Sequence, residues 1–199
     1  MMNKLLIGVL ALQGGVTEHV ATTTQALKNL KKNGEVILVR TKADLDKIEA
    51  LIIPGGESTV LQKLCEREEI FEKMKTIPYL FGTCAGAIML AKNVKNKALG
   101  QKTLTLMDIE IDRNGYGAQT DSFEETVQTP LGKIDAIFIR APRIKNIGKN
   151  VKKLATLNNE IIACEESISN RYYLATCFHP ELTTTKFHEY FIKKIILKK

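Results

Sequence analysis

The chain predicts an α/β fold of three layers, with a mostly parallel central sheet and helices on both faces. Three observations carry that prediction. Apolar runs of strand length alternate with helix-spaced segments through the first half of the chain. Glycine-rich turns such as Gly14-Gly15 and Pro54-Gly55-Gly56 end the apolar runs. A glycine-flanked cysteine, Gly82-Thr83-Cys84-Ala85-Gly86, stands where a strand hands over to a helix.

Taken in order, residues 4–12 form an apolar run suited to a buried first strand. The leading Met-Met-Asn-Lys gives it a superficial likeness to a signal peptide, but no small-residue cleavage site follows. Residues 17–32 carry Val20, Leu27 and Leu30 at helical spacing. Residues 35–40 and 50–53 read as the second and third strands. Ser58 is placed to cap a helix running through Leu61, Leu64 and Phe71. Residues 77–81 make a fourth strand and 85–92 a helix. Beyond that point the pattern changes: 103–112, 123–128, 133–141, 160–165 and 171–178 read as strands joined by Gly, Asn and Pro turns. A last helix over 183–197 sets Phe187, Tyr190, Phe191 and Ile195 on one face. With no internal repeat, low-complexity tract or linker, a single domain over 1–199 is expected.

Composition narrows the function classes. The 199 residues are 44% hydrophobic and 26% charged, an ordinary globular balance. No apolar run approaches the length needed to span a bilayer. The four cysteines, Cys65, Cys84, Cys164 and Cys177, form no CxxC pair, so neither a zinc site nor a thioredoxin motif is supported. Neither a metal nor a cofactor is therefore expected. Free thiols without a secretory signal point to a reducing cytoplasm. The net charge of +7 arises from dispersed Lys and Arg with no nucleic-acid-binding signature. It reads as a solvated basic surface, or a face for one acidic partner, rather than a nucleic-acid site.

The Cys84 pentapeptide has the strand-to-helix context of a nucleophile elbow. A sharp turn at the nucleophile crowds the adjoining backbone, so a β-carbon at either flank would clash. At a helix start, unpaired N–H groups and the helix dipole favour a thiolate. The Ala85 N–H then faces the place where an oxyanion would form. A buried structural cysteine between two packing glycines is the competing reading of the same five residues.

A cysteine nucleophile needs a base, and the chain has only His19, His179 and His188. His179 follows a strand, in Cys177-Phe178-His179-Pro180-Glu181. Residues two apart on an extended segment point the same way, so Glu181 can reach the imidazole, and Pro180 keeps its neighbour extended. Nucleophile, base and orienting carboxylate would then be Cys84, His179 and Glu181. His19 and His188 read as partly exposed helical residues. The loop Pro54-Gly55-Gly56-Glu57-Ser58 offers open backbone N–H groups and a carboxylate at a helix start. It is either a plain cap or the source of a second oxyanion donor and an ammonium-binding group.

Six blocks in register carry a resemblance. They are Gly8-Val9-Leu10-Ala11-Leu12-Gln13-Gly14, Pro54-Gly55-Gly56-Glu57-Ser58-Thr59, Phe81 to Gly86, Arg113-Asn114 with Asp121-Ser122-Phe123-Glu124, Phe138-Ile139-Arg140-Ala141-Pro142, and Phe178-His179-Pro180-Glu181-Leu182-Thr183. Over nearly the whole chain this resembles the class I, triad-type glutamine amidotransferases, and among them the glutaminase subunits of pyridoxal 5′-phosphate synthase. The resemblance implies a flavodoxin-like sheet and hydrolysis of L-glutamine to glutamate and ammonia through a γ-glutamyl thioester on Cys84. It implies an oxyanion hole from Gly56 and Ala85, and glutamine binding by Gly56, Glu57, Ser58, Arg113, Ile139 and Arg140. It also implies a separate synthase subunit in a large hetero-oligomer, which receives the ammonia and docks near Gln13 and Gly14. Ala118 departs from the family's usual second arginine, which puts one contact in doubt. Thr184 and Thr185 likewise replace commonly acidic positions.

Two other readings compete. An idle amidotransferase-like regulatory subunit would have no chemical reason to keep Cys84, His179 and Glu181 together. A stand-alone PfpI-like cysteine hydrolase would lack the His-Pro-Glu block and the Pro-Gly-Gly-Glu-Ser loop.

Overall fold

The computed structural model describes residues 4–115 and 122–197; Ala118 and Asp121 lie outside the described residues. The first half runs β1 (Leu5–Leu10), α1 (Val16–Asn29), β2 (Gly34–Val39), α2 (Lys42–Leu45), β3 (Ala50–Ile53), α3 (Ser58–Arg67), α4 (Phe71–Met74), β4 (Tyr79–Thr83) and α5 (Ala85–Leu90). The second half adds β5 (Ala91–Lys95), β6 (Met107–Asp112), β7 (Phe123–Thr129), β8 (Gly132–Phe138), β9 (Arg143–Ile147), β10 (Val151–Leu157), β11 (Glu160–Ile168) and β12 (Arg171–Thr176). A 3-10 turn (Pro180–Leu182) and α6 (Lys186–Leu197) end the order.

β1, β3 and β4 are almost wholly apolar because they are buried on both sides. They form the parallel part of the main sheet, in the order β2-β1-β3-β4-β12. The chain steps outward from β1 to β2 and in the opposite direction from β3 to β4. Right-handed crossovers therefore place α1 on one face and α3 with α4 on the other. The packing agrees: α1 contacts α6, whereas α3 contacts α4 and α5. The point between β1 and β3 where the order reverses is a topological switch point, and ligands bind there at the carboxyl ends of the strands.

Beyond β12 the sheet turns mixed. β11 is antiparallel to β12, β10 and β9, while β6 and β5 are parallel at the far edge. β7 and β8 make a separate hairpin, with Phe123 stacked on Phe138 at 4.5 Å.

Several local expectations need correction. The helix from Ser58 does not run through Phe71; it breaks after Arg67, where Glu69 takes φ +54. Its cap is Glu57, whose carboxylate accepts from the Thr59 and Val60 N–H groups, and Ser58 is the first helical residue. The helix after Cys84 stops at Leu90 and the chain becomes β5. β5, β9 and β10 do not stand out in the sequence, because Lys and Asn interrupt their apolar pattern.

Candidate active site

Six segments, following β1, β3, β4, β6, β8 and β12, line a cleft of about 400 Å³. Cys84, His179, Glu181, Gly56, Glu57, Ser58, Arg113, Ile139 and Arg140 all line it.

Cys84 sits between β4 and α5 at φ +49, ψ −105, a backbone conformation that non-glycine residues seldom adopt. The turn is held from both sides. The Cys84 N–H donates to the Thr176 carbonyl at 2.8 Å, and the Cys84 carbonyl accepts from Ile88 N–H at 3.2 Å. The flanking glycines have the clearance role expected. A Cβ on Gly82 would lie 2.4 Å from the Gly86 carbonyl oxygen, and one on Gly86 would lie 2.0 Å from the Ile53 carbonyl oxygen. Cys84 Sγ approaches the Ile139 carbonyl at 3.9 Å. The same segment brings Arg140, at φ +45, into the cleft lining.

His179 leaves β12 and is tied to β8 by its N–H, which donates to the Ile137 carbonyl at 2.9 Å. Its Nδ1 bonds Glu181 Oε1 at 2.7 Å. The expected extended His-Pro-Glu segment is corrected here, since Pro180 opens a 3-10 turn. Proline suits that first position because its fixed φ and missing N–H cost nothing there. The tight turn brings Glu181 under the ring without strand geometry. Burial pulls the His179 pKa down, but bonding to Cys84 and to Glu181 outweighs it and lifts the value to about 10. The imidazolium is therefore the favoured form beside the sulfur.

The Pro54–Ser58 loop packs closely against this group. A Cβ on Gly55 would lie 2.3 Å from His179 Cε1 and 3.3 Å from Cys84 Cβ. Gly56 is exposed at φ +132. Ala85, fully buried, opens α5 with its N–H in the unpaired first turn. Burial works to raise the Glu57 pKa, yet the Thr59 and Val60 N–H groups and Arg113 together hold it below its ordinary value. Arg113, half-buried, is ion-paired to Glu57 across the cleft.

Gln13 and Gly14 brace the loop from β1. With the Gln13 amide oriented to suit its neighbours, it accepts from Glu57 N–H at 2.8 Å and donates to the Glu57 carbonyl at 3.1 Å. Gly14 takes φ +90, and a Cβ there would lie 1.8 Å from the Gly55 carbonyl oxygen.

The structure overturns the reading of the two remaining histidines. His19 and His188 are completely buried, not partly exposed. Their nitrogens meet at 2.9 Å, and His19 Nε2 also lies 3.1 Å from Thr83 Oγ1 and 3.4 Å from Glu181 Oε1. The signal was present in the spacing. His19 shares the inner stripe of α1 with Thr23, Ala26 and Leu27, and His188 shares that of α6 with Ile192 and Ile195. Gly55 reads in the sequence only as part of an open-backbone loop, and its close packing against His179 and Cys84 is added by the structure.

A family model for the SNO glutamine amidotransferase family matches residues 9–197. The chain belongs to that family. It is 42% identical over 194 residues to "Pyridoxal 5'-phosphate synthase subunit PdxT" of Oenococcus oeni, covering 94% of this chain and 95% of that protein. A protein of the same description from Sulfurisphaera tokodaii is 46% identical over 199 residues, covering 94% and 97%. Among solved structures, one described as a glutamine amidotransferase is 38% identical with a TM-score of 0.81, covering 94% of this chain and 97% of that one. The mostly parallel central sheet with its helices matches that solved structure. Among the described residues no helix is long and apolar enough to cross a membrane.

Proposed function

We propose that this chain is the glutaminase subunit of a pyridoxal 5′-phosphate synthase, hydrolysing L-glutamine to glutamate and ammonia through Cys84, His179 and Glu181. The observation that carries the reading is the joint geometry of the cleft. A cysteine on a strained strand-to-helix turn shares the cleft with a buried histidine that a carboxylate holds at 2.7 Å.

The chemistry follows from the residues. Cys84 Sγ attacks the side-chain amide carbon of glutamine, and the carbonyl oxygen takes up the negative charge. The Ala85 and Gly56 N–H groups stabilise that oxyanion, a contribution of several kcal/mol in such sites. His179 then gives its Nε2 proton to the amide nitrogen, the C–N bond breaks, and ammonia leaves with a γ-glutamyl thioester on Cys84. Water enters, His179 takes its proton, and glutamate departs as the C–S bond breaks. Glu181 keeps Nδ1 protonated and the ring aimed throughout. Arg113 and Arg140 suit the substrate α-carboxylate and Glu57 its ammonium, with Ser58 and Ile139 completing the pocket.

The ammonia passes to a synthase subunit in a hetero-oligomer, and Gln13-Gly14 couple that partner to the oxyanion loop they brace. Both proteins act together in the cytoplasm, where the Cys84 thiol stays reduced. The test is co-purification with the synthase subunit followed by a glutamate-release assay. Release by the native chain that Cys84→Ala abolishes is expected, with 6-diazo-5-oxo-norleucine alkylating Cys84. Equal release by Cys84→Ala overturns the assignment.

A further inference from the structure

Glu181 is held by less than its role requires. It sits on a single 3-10 turn, and its carboxylate has one hydrogen bond, from His179 to Oε1 at 2.7 Å. Oε2 is buried and without a hydrogen-bond partner among the described residues. Helix α1 supplies what the turn lacks. Thr22 Oγ1 donates to the Glu181 carbonyl at 3.0 Å, and His19, three residues earlier on the same face, brings Nε2 to 3.4 Å from Oε1.

The tautomers of the buried histidines follow from their neighbours. Burial, with His188 and His179 nearby, holds His19 far below its ordinary pKa, and burial drives His188 to about 3. Both rings are therefore neutral, with one N–H each. If His19 carried its proton on Nδ1, it would aim a lone pair at the Glu181 carboxylate and leave His188 Nδ1 as an orphaned buried N–H. If His19 carries it on Nε2, the N–H bonds Thr83 Oγ1 and turns its positive end toward Glu181 Oε1 at 3.4 Å. His188 Nε2–H then donates to His19 Nδ1, and only a bare acceptor nitrogen on His188 goes unpaired. Orphaned buried N–H groups are the rarer and costlier outcome.

We propose that His19 is a positioning residue of the glutaminase site: its neutral Nε2–H, fixed by His188, pins the Glu181 carboxylate against His179. The proposal rests on the assignment of Cys84, His179 and Glu181 above. The groups involved are few. His179 faces Cys84 from the β4–α5 turn and Glu181 from the 3-10 turn; His19 faces His188 from α6, Thr83 from β4 and Glu181; and Glu18 of α1 lines the same cleft. If Glu181 loses its anchor on α1, it turns from His179, and only Cys84 is then left to oppose burial at that ring. Its titration midpoint falls.

The test has two independent readouts. In the ¹⁵N-histidine-labelled full chain, long-range ¹H–¹⁵N spectra are expected to show His19 and His188 both protonated on Nε2. A proton on His19 Nδ1 overturns the proposal without any variant. In glutamate release with the synthase subunit, His19→Asn keeps an acceptor toward His188 but loses the donor at Glu181. It is expected to lower kcat roughly tenfold at unchanged KM, on the scale of other supporting-residue losses, and to move the His179 midpoint down. His19→Gln, whose amide N–H reaches the Nε2 position, is expected to recover most of both. Equal losses in the two variants mean a merely structural histidine and overturn the proposal. If the native chain releases no glutamate while the spectra give the tautomers described and a His179 titration that moves down in His19→Asn, the glutaminase reading fails and the hold of His19 on Glu181 stands.

Discussion

Cys84 holds φ +49 where most residues would avoid it, and such strain costs on the order of 1–3 kcal/mol. It persists because Thr176, Ile88 and the clearance at Gly82 and Gly86 leave the turn no alternative. Two variants separate the strain from the sulfur. Cys84→Ala and Cys84→Gly should both lose glutaminase activity. Glycine should nevertheless be the more stable by about 1 kcal/mol in urea unfolding, because it occupies positive φ freely; equal midpoints would mean that the turn is unstrained. Gly55 gives the complementary prediction. A methyl there would lie 2.3 Å from His179 Cε1, so the ring must move. Gly55→Ala should fold yet lose on the order of 10²-fold in kcat, the cost of displacing a catalytic group by an ångström or so. The grouping of Cys84, His179 and Glu181 around one cleft was legible in sequence because a proposed thiol nucleophile, base and carboxylate each need a marked local context. Gly55 was not, because its function lies in a contact between loops far apart in the chain.

At the scale of elements, one carboxylate adds polar fastening of α6 to the sheet beside the helix's buried apolar face. Glu165 of β11 accepts from Tyr172 Oη of β12 at 2.7 Å and from Tyr190 Oη of α6 at 2.9 Å, and it pairs with Lys194 at 3.0 Å. Lys194 in turn lies over the Tyr190 ring, 4.7 Å from its centroid. Glu165→Ala would leave the fully buried Tyr172 hydroxyl without its acceptor, a loss of about 1–3 kcal/mol. Chemical denaturation should show that loss, and Glu165→Gln should restore part of it; a midpoint unchanged in Glu165→Ala would remove Glu165 from the account of how α6 is held. None of this fastening shows in the sequence, where Glu165 reads as one of three glutamates in its strand. The alternating strands and helices of the first half were readable because each buries its own continuous apolar run. β5, β9 and β10 were not, because their half-exposed faces carry Lys and Asn, and pairing with β6 or β11 defines them instead.

The molecule as a whole contains three buried histidines that respond to pH in opposite senses. His19 and His188 are held below their ordinary values, His188 at about 3, by burial in both cases with neighbouring histidines adding to it at His19. In the unfolded chain both take up protons below about pH 6.5. The folded state does not follow, so stability falls as the pH drops from there. Each contributes about 1.4 kcal/mol per pH unit once well below 6.5, or about 2 kcal/mol from His188 alone at pH 5. His179 has the opposite sign. Its folded value is raised to about 10 because bonding to Cys84 and Glu181 overcomes burial, so its contribution is complete below about pH 6.5 and is lost as the pH climbs toward 10. Stability should therefore peak near pH 6.5. Between pH 5 and 6.5 ordinary carboxylates scarcely titrate, so the acid limb there belongs to the buried pair. Urea midpoints across that window should decline steeply for the native chain and less steeply for His188→Met, which fills similar space without a titrating ring. An acid limb equally steep in both would show that burial of His188 does not set it. Because both rings stay neutral in the folded chain, their hold on Glu181 should persist down that limb until the chain unfolds.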